Sequence, residues 1–235
     1  MPLRRDLVWD GCVNVRDLGG LGRVRPGALV RMEAPSTLTA AGWAALWDHG
    51  VRTVLSLRAE DEDRDDPDRS PRPPGIATAR VPIDPVGTPF HDHWQPIDNL
   101  ATPLYFPALL AEHPERIAAA VKLIADAAPG GVVFHCASGK DRTGLLALAL
   151  LAFAGAEPDE IVADYLLTFE RMKPVWDAMG VRDQITAVGE RLARHGTTIE
   201  ASLRTTIAGL RMPDYLLENG LTEEDLAALD RRLSG

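Results

Sequence analysis

Towards the N-terminus the apolar positions fall into the two spacings that separate helices from strands. Val51-Arg52-Thr53-Val54-Leu55-Ser56-Leu57 is rich in β-branched and apolar side chains, as a buried strand would be. Ahead of it, Leu38, Trp43, Leu46 and Trp47 share one face of a helix read over residues 39–49, and Gly50 stands just past its end. Ala28-Leu29-Val30-Arg31-Met32 reads as another strand, entered from a turn marked by Gly19-Gly20. A helix feeding directly into a buried strand is the βαβ rhythm of an α/β fold.

Further along, residues 77–83 make a fourth candidate element, a strand, followed by a loop over 84–102 broken by Pro85, Pro89 and Pro96. A helix from Glu115 carries Ile117, Val121, Ile124 and Ala128 at helical spacing, with Pro114 in its first turn and Pro129-Gly130-Gly131 as its stop. Val132-Val133-Phe134-His135 is a short apolar strand that runs into a polar loop, Cys136 to Gly144, and then a Leu/Ala-rich helix through Ala154. The remaining third reads as helices over 158–172, 175–195, 199–210, 214–219 and 222–233. The expected architecture is α/β: a central, mostly parallel sheet flanked by helices, with a helical C-terminal third. No internal repeat or linker divides it, so residues 1–235 form one domain, in which helices of 174–212 flank the sheet or cap it as a lid.

Composition narrows the partners. In 235 residues, 25 basic side chains against 34 acidic ones give a net charge of −9, which argues against nucleic acid or anionic membrane. Seven acids and one arginine lie between Glu60 and Asp68, a local net of −6, so the rest of the chain carries only −3. This run continues into Ser70-Pro71-Arg72-Pro73-Pro74-Gly75, and residues 59–75 read as one exposed acidic, proline-rich loop. Two cysteines, Cys12 and Cys136, are too few for a disulfide framework or a four-ligand zinc site; Cys12 reads as a buried structural thiol. No signal peptide opens the chain, and its longest apolar run, Leu145 to Ala154, is ten residues where a bilayer needs about 18 to 20. The expectation is a cytoplasmic protein without stable membrane insertion. His91-Asp92-His93 suggests no third ligand and reads as solvated loop, so neither metal nor cofactor is expected.

The loop Cys136 to Arg142 hangs between a strand end and a helix start, where backbone N–H groups and the helix N-terminus together favour an anion. The amides of Ala137, Ser138, Gly139, Lys140, Asp141 and Arg142 form the expected cradle. The Arg142 guanidinium adds a planar fork for two phosphate oxygens, and Lys140, one of only three lysines, adds a second cation. A thiol surrounded by these positive poles is favoured as the thiolate. Cys136 at the floor of such a cradle is a nucleophile aimed at phosphorus, giving a cysteinyl-phosphate that water then hydrolyses. Thr143 is placed to hydrogen-bond the sulfur as it leaves, and His135 to support the loop from below. An ATP-binding loop is excluded, because Asp141 stands where Ser or Thr must follow the lysine.

His135-Cys136-Ala137-Ser138-Gly139-Lys140-Asp141-Arg142-Thr143-Gly144 resembles the His-Cys-x5-Arg-Thr signature of protein tyrosine phosphatases, and its Gly-Lys-Asp-Arg-Thr-Gly form resembles the atypical, largely bacterial tyrosine and lipid phosphatase branch. Asn14-Val15-Arg16-Asp17-Leu18-Gly19-Gly20 is similar to that branch's early segment, and Leu57-Arg58 and Tyr215-Leu216 with Gly220-Leu221 fit as well. The resemblance implies a phosphatase-like sheet, a nucleophile at Cys136, a phosphate-binding Arg142 and a general acid at Asp141. No Trp-Pro-Asp tripeptide supplies the acid, so Asp84 stands second, and Asp92 or Asp98 after it. Asp17, beside two glycines, supports the active loop or contacts substrate. The substrate class implied is a phosphorylated protein, on tyrosine with serine a further possibility, or a phospholipid head group. A rhodanese-like sulfurtransferase and a non-catalytic phosphate-binding module are the alternatives.

Overall fold

The computed structural model describes residues 5–64, 69–95 and 99–235. Among them, one sheet runs β1 (Arg16–Asp17), β2 (Leu29–Met32), β5 (Gly131–His135), β3 (Val51–Ser56), β4 (Ala77–Arg80) across its width. Only β1 is antiparallel to its neighbour; β2, β5, β3 and β4 are parallel. The expected mostly parallel sheet is therefore present, and β5 occupies its centre. That position explains the continuous apolar run Val132-Val133-Phe134: both faces of a central parallel strand are buried.

Period-two alternation sorts the side chains between two cores. Val30, Met32, Val54 and Val133 face α1 (Ala40–Asp48) together with Leu38, Trp43 and Leu46. Leu29, Leu55, Val132 and Phe134 face the larger helical layer. That layer comprises α4 (Phe106–Glu112), α5 (Pro114–Asp126), α6 (Asp141–Phe153), α7 (Pro158–Ala178), α8 (Gln184–Arg194), α9 (Ile199–Gly209), α10 (Asp214–Glu218) and α11 (Glu223–Ser234). Arg31 shares the parity of Leu29, so the alternation that buries Leu29 also drives a guanidinium into the larger core.

Three expectations change. The segment read as one loop over 59–75 begins with a helical turn, α2 (Glu60–Arg64), in which the Arg58 Nη2 donates to Glu62 O at 2.5 Å. Glu62 is half-buried rather than solvated, because a guanidinium described below draws it inwards. The loop over 84–102 contains α3 (Pro89–Trp94), started by Thr88, whose hydroxyl accepts from His91 N, and by Pro89 in the first turn. His91-Asp92-His93 is thus helical, not loop. Finally, α7 continues through Pro174, where the sequence suggests a break. Beyond the proline Trp176 still packs on Phe169 with ring centroids 6.2 Å apart, and the helix ends instead at Ala178, two residues before Gly180, whose φ is +68°. Asp98 and the acids at 65, 66 and 68 lie outside the described residues.

Candidate active site

The signature loop leaves the C-terminal end of the central strand β5 and enters α6, the position at which open α/β sheets bind their ligands. Its shape is set by where its carbonyls go. Cys136 O lies 3.1 Å from His135 Nδ1; Ala137 O accepts from Ala34 N at 2.8 Å. Ser138 O accepts from Asn14 Nδ2 at 2.9 Å, Gly139 O from Arg31 Nη2 at 2.7 Å, and Lys140 O from Gly144 N at 2.8 Å. With five successive carbonyls turned outwards, the amides turn the other way. Among the described residues, the N–H groups of Ala137 to Arg142 donate to no protein acceptor. This is the backbone nest that binds anions, closed by the N-terminus of α6. Gly139 allows the turn: its φ is +70°, and a Cβ there would lie 2.5 Å from Met32 O.

Behind the loop lies a buried charge cluster that the sequence reading does not identify. Asp164, 1 % exposed on α7, takes Arg31 Nη1 on Oδ2 at 2.6 Å, Arg16 Nε on Oδ1 at 3.0 Å, and Arg5 Nη2 on Oδ1. Burial works against the Asp164 charge, yet Arg16, Arg31 and Arg5 hold its carboxyl well below the usual range. Arg16 also donates to Asn14 Oδ1 at 2.5 Å, which fixes the amide so that its nitrogen faces Ser138 O. A signal was present: Ile161, Asp164, Tyr165 and Thr168 follow the spacing of a buried helix face, and an acid there calls for a cation.

Arg142 sits over the loop in a ring of acids. Its Nη1 and Nη2 donate to Glu62 Oε1 and Oε2 at 2.5 and 2.9 Å, and its Nε lies 3.3 Å from Asp84 Oδ2. Asp84 arrives there because the chain after β4 stays paired to the end of β3, through Val81 N to Ser56 O and Ile83 N to Leu57 O. Glu62 arrives because Arg58, two residues past the end of the same strand, makes an i,i+4 ion pair with it at 3.6 Å. The two carboxylates respond differently. Burial opposes the Glu62 charge, but the bidentate hydrogen bonds from Arg142 bring its pKa below the ordinary value. For Asp84 burial prevails over Arg142, and its pKa is raised. Its Oδ1 is buried without a hydrogen-bond partner among the described residues.

The other predicted residues divide. Cys136 is 3 % exposed at the loop floor. His135, 2 % exposed at the end of β5, has its Nδ1 3.1 Å from Cys136 O. Asp141 opens α6, accepting from Tyr165 Oη at 3.0 Å with Lys140 Nζ 3.5 Å away. Lys140 does not stand free in the cradle: its ammonium, 3 % exposed, donates to Ala101 O at 3.0 Å and lies 5.5 Å from the Phe169 ring centroid. Thr143 Oγ1 is buried with no hydrogen-bond partner among the described residues, so its bond to the sulfur is not made here.

Asp17 is a correction. It accepts from Gly19 N and Gly27 N, both at 2.7 Å, and pairs with His49 at 3.0 Å, opposite Val30 and near the end of β2 where the strand begins. His135 pairs with Met32 at the other end, so the active loop is supported by Asn14 and Arg16 instead. Asp92 is exposed on α3 beside His91. Cys12, read as a buried thiol, is only partly buried, although that burial still pushes its thiol up to about 12, which removes the nucleophilic form. Among the described residues no helix is long and apolar enough to cross a membrane, and no cluster of His, Cys, Asp or Glu is arranged to hold a metal.

A thiol beneath an amide nest and a guanidinium, at the head of a central parallel strand, defines a cysteine-dependent phosphoric monoester hydrolase. The chain belongs to the tyrosine phosphatase family, whose sequence profile matches residues 7–235. A predicted tyrosine-protein phosphatase of Cupriavidus necator is 31 % identical over 242 residues, covering 96 % of this chain and 87 % of that one. A tyrosine-protein phosphatase of Nostoc commune is 29 % identical over 88 % of this chain and 74 % of its own. The triple specificity protein phosphatase PtpB of Mycobacterium tuberculosis is 30 % identical over 66 % of each.

Proposed function

We propose that the protein hydrolyses phosphotyrosine in proteins, with Cys136 as nucleophile and Arg142 with the loop amides as the phosphate clamp. The observation that carries this is the outward turn of five loop carbonyls, which leaves the amides of 137–142 free around Cys136. The thiolate attacks phosphorus in line, the tyrosyl oxygen departs, and water later displaces Cys136 from the phosphoryl group. The preorganised donors stabilise the charge that builds on the equatorial oxygens.

Departure of the oxygen needs a proton, and Asp84 rather than Asp141 is the donor in this reading. Asp84 has the raised pKa, an unpartnered Oδ1 and a place beside Arg142, while Asp141 is engaged by Tyr165 and Lys140. A phosphate dianion beside Arg142 also favours a neutral Asp84 over a second negative charge. A general acid works protonated, so the rate falls as pH rises through the Asp84 pKa. Asp84→Asn is expected to lose that alkaline limb and about 10²–10⁴-fold in kcat on an alkyl phosphate, less on p-nitrophenyl phosphate. If Asp141→Asn does so and Asp84→Asn does not, Asp141 is the acid.

Cys136→Ser should abolish turnover of p-nitrophenyl phosphate and phosphotyrosine peptide yet retain phosphate binding; surviving activity overturns the nucleophile. A second reading, breadth beyond phosphotyrosine, is suggested by the triple specificity in the name of the mycobacterial relative, with phosphoserine and phosphoinositide head groups as the substrates to try. A panel of phosphotyrosine peptide, phosphoserine peptide and phosphoinositides at matched concentration separates the two. In both readings the helices over 174–212 act as a cover, α9 packing on α4 and on residues 103–105.

A further inference from the structure

Among the described residues β4 is the last strand of the sheet, and the chain that leaves it goes on pairing with the end of β3. Val81 N donates to Ser56 O at 2.9 Å and Ile83 N to Leu57 O at 3.2 Å. Backbone groups of alternate residues point to opposite edges of a strand, so Pro82 and Asp84 turn their carbonyls to the open side. Proline suits that side, since it brings no N–H that would need a partner there.

One side chain takes the place of the missing strand. Arg116 Nη1, from the first turn of α5, donates to Pro82 O at 3.0 Å and to Asp84 O at 3.2 Å. The arginine is itself held: its side chain is 25 % exposed, its Nε lies 3.7 Å from Glu115 Oε1, and its own N–H donates to His113 O at 3.2 Å. Asp84 O also accepts from Val86 N at 2.9 Å, and the following Pro85 restricts Asp84 to extended conformations. With the peptide groups at 82–83 and 84–85 both tied, little rotation is left at Asp84. Its carboxylate is thereby kept where Oδ2 stands 3.3 Å from Arg142 Nε.

We propose that Arg116 is a positioning residue for the proton donor. It acts through two carbonyls rather than through the carboxylate, and it fixes the backbone from which Asp84 passes its proton to the leaving oxygen as the bond from that oxygen to phosphorus breaks. This rests on the assignment of Asp84 as the acid above. A shift of roughly an ångström in a reacting group costs on the order of 10²-fold in rate, so a clamp of this kind is felt in turnover without touching substrate.

The test is Arg116→Met in the full chain, which keeps a long side chain and removes the donors, beside Arg116→Lys, whose ammonium can still reach both carbonyls. A misplaced acid matters most where the leaving oxygen is most basic. In Arg116→Met, kcat for phenyl phosphate is expected to fall by about 10- to 100-fold and that for p-nitrophenyl phosphate by about threefold or less. KM and orthovanadate inhibition should hold, because the loop amides and Arg142 are untouched. Arg116→Lys should recover most of the loss, and Arg116→Met added to Asp84→Asn should cost nothing further on phenyl phosphate. Equal losses on the two substrates, a further loss in the double variant or an unchanged kcat for phenyl phosphate overturns the proposal. A lower melting temperature with an unchanged ratio of the two rates makes Arg116 merely structural and overturns it too. If Asp84→Asn itself shows no preferential loss on phenyl phosphate, the parent assignment of the acid fails, and this proposal with it.

Discussion

Arg142 commits both terminal nitrogens to one carboxylate, that of Glu62, at 2.5 and 2.9 Å. A bidentate pair fixes the plane of the guanidinium as well as its position. Glu62 is itself fixed, with Oε1 accepting from Ala59 N at 2.9 Å. The orientation of the Arg142 guanidinium is thus set by a residue from the acidic run.

Glu62→Gln keeps the shape but removes the charge-assisted pair. A loss in kcat/KM of about tenfold is expected, equivalent to ~1.4 kcal/mol. Steady-state kinetics on p-nitrophenyl phosphate check this. A faster enzyme would mean that Glu62 competes with substrate for Arg142 instead of orienting it.

Gly139→Ala tests the loop. At φ +70° a side chain is strained, and its Cβ would also meet Asn14 Nδ2 at 2.9 Å. Strain of about 1–3 kcal/mol is expected. Displacing the loop by roughly an ångström should cost on the order of 10²-fold in activity. Chemical denaturation and turnover report the two effects separately.

Asp164→Asn leaves three arginines without their shared anion. Breaking such a buried pairing should destabilise the fold by about 3–5 kcal/mol near neutral pH. The native pKa of Asp164 is depressed, so its stabilisation is complete above the unfolded value of 3.8 and is lost as pH falls from there towards the native pKa. The gap between wild type and variant in urea midpoints should therefore stay full from neutral pH down to about pH 4 and narrow progressively below it. A gap independent of pH would contradict the assignment.

Lys140→Ala separates a specificity role from an architectural one. Its ammonium holds Ala101 O and lies near Asp141, so it links the loop to the segment ahead of α4. Equal fractional loss on phosphotyrosine peptide and phosphoinositide is expected. Selective loss on the lipid would return Lys140 to the cradle.

The local chemistry was legible because it is contiguous. A short β-branched and apolar strand, a polar loop with cysteine and arginine, and a Leu/Ala helix follow one another from Val132 to Ala154, and each is determined by near neighbours. The sheet order is consistent with the same apolar runs, since only central parallel strands bury both faces. Misreadings arose where long-range partners override local pattern. Charge density marks Glu60 to Asp68 as solvent-exposed loop, yet a single guanidinium 80 positions away draws Glu62 out of water. Pro174 marks a helix end, yet Trp176 packing on Phe169 carries the helix past it. Asp17 looks like loop support by proximity to glycines, but strand pairing sends it to the opposite end of β2. The sequence alone determined the strand–loop–helix series and the spacing of Cys136 and Arg142 within it, because that spacing is a local backbone property. Only the tertiary structure decided which acids face Arg142 and what holds the loop carbonyls outwards, since those depend on contacts that no local pattern encodes.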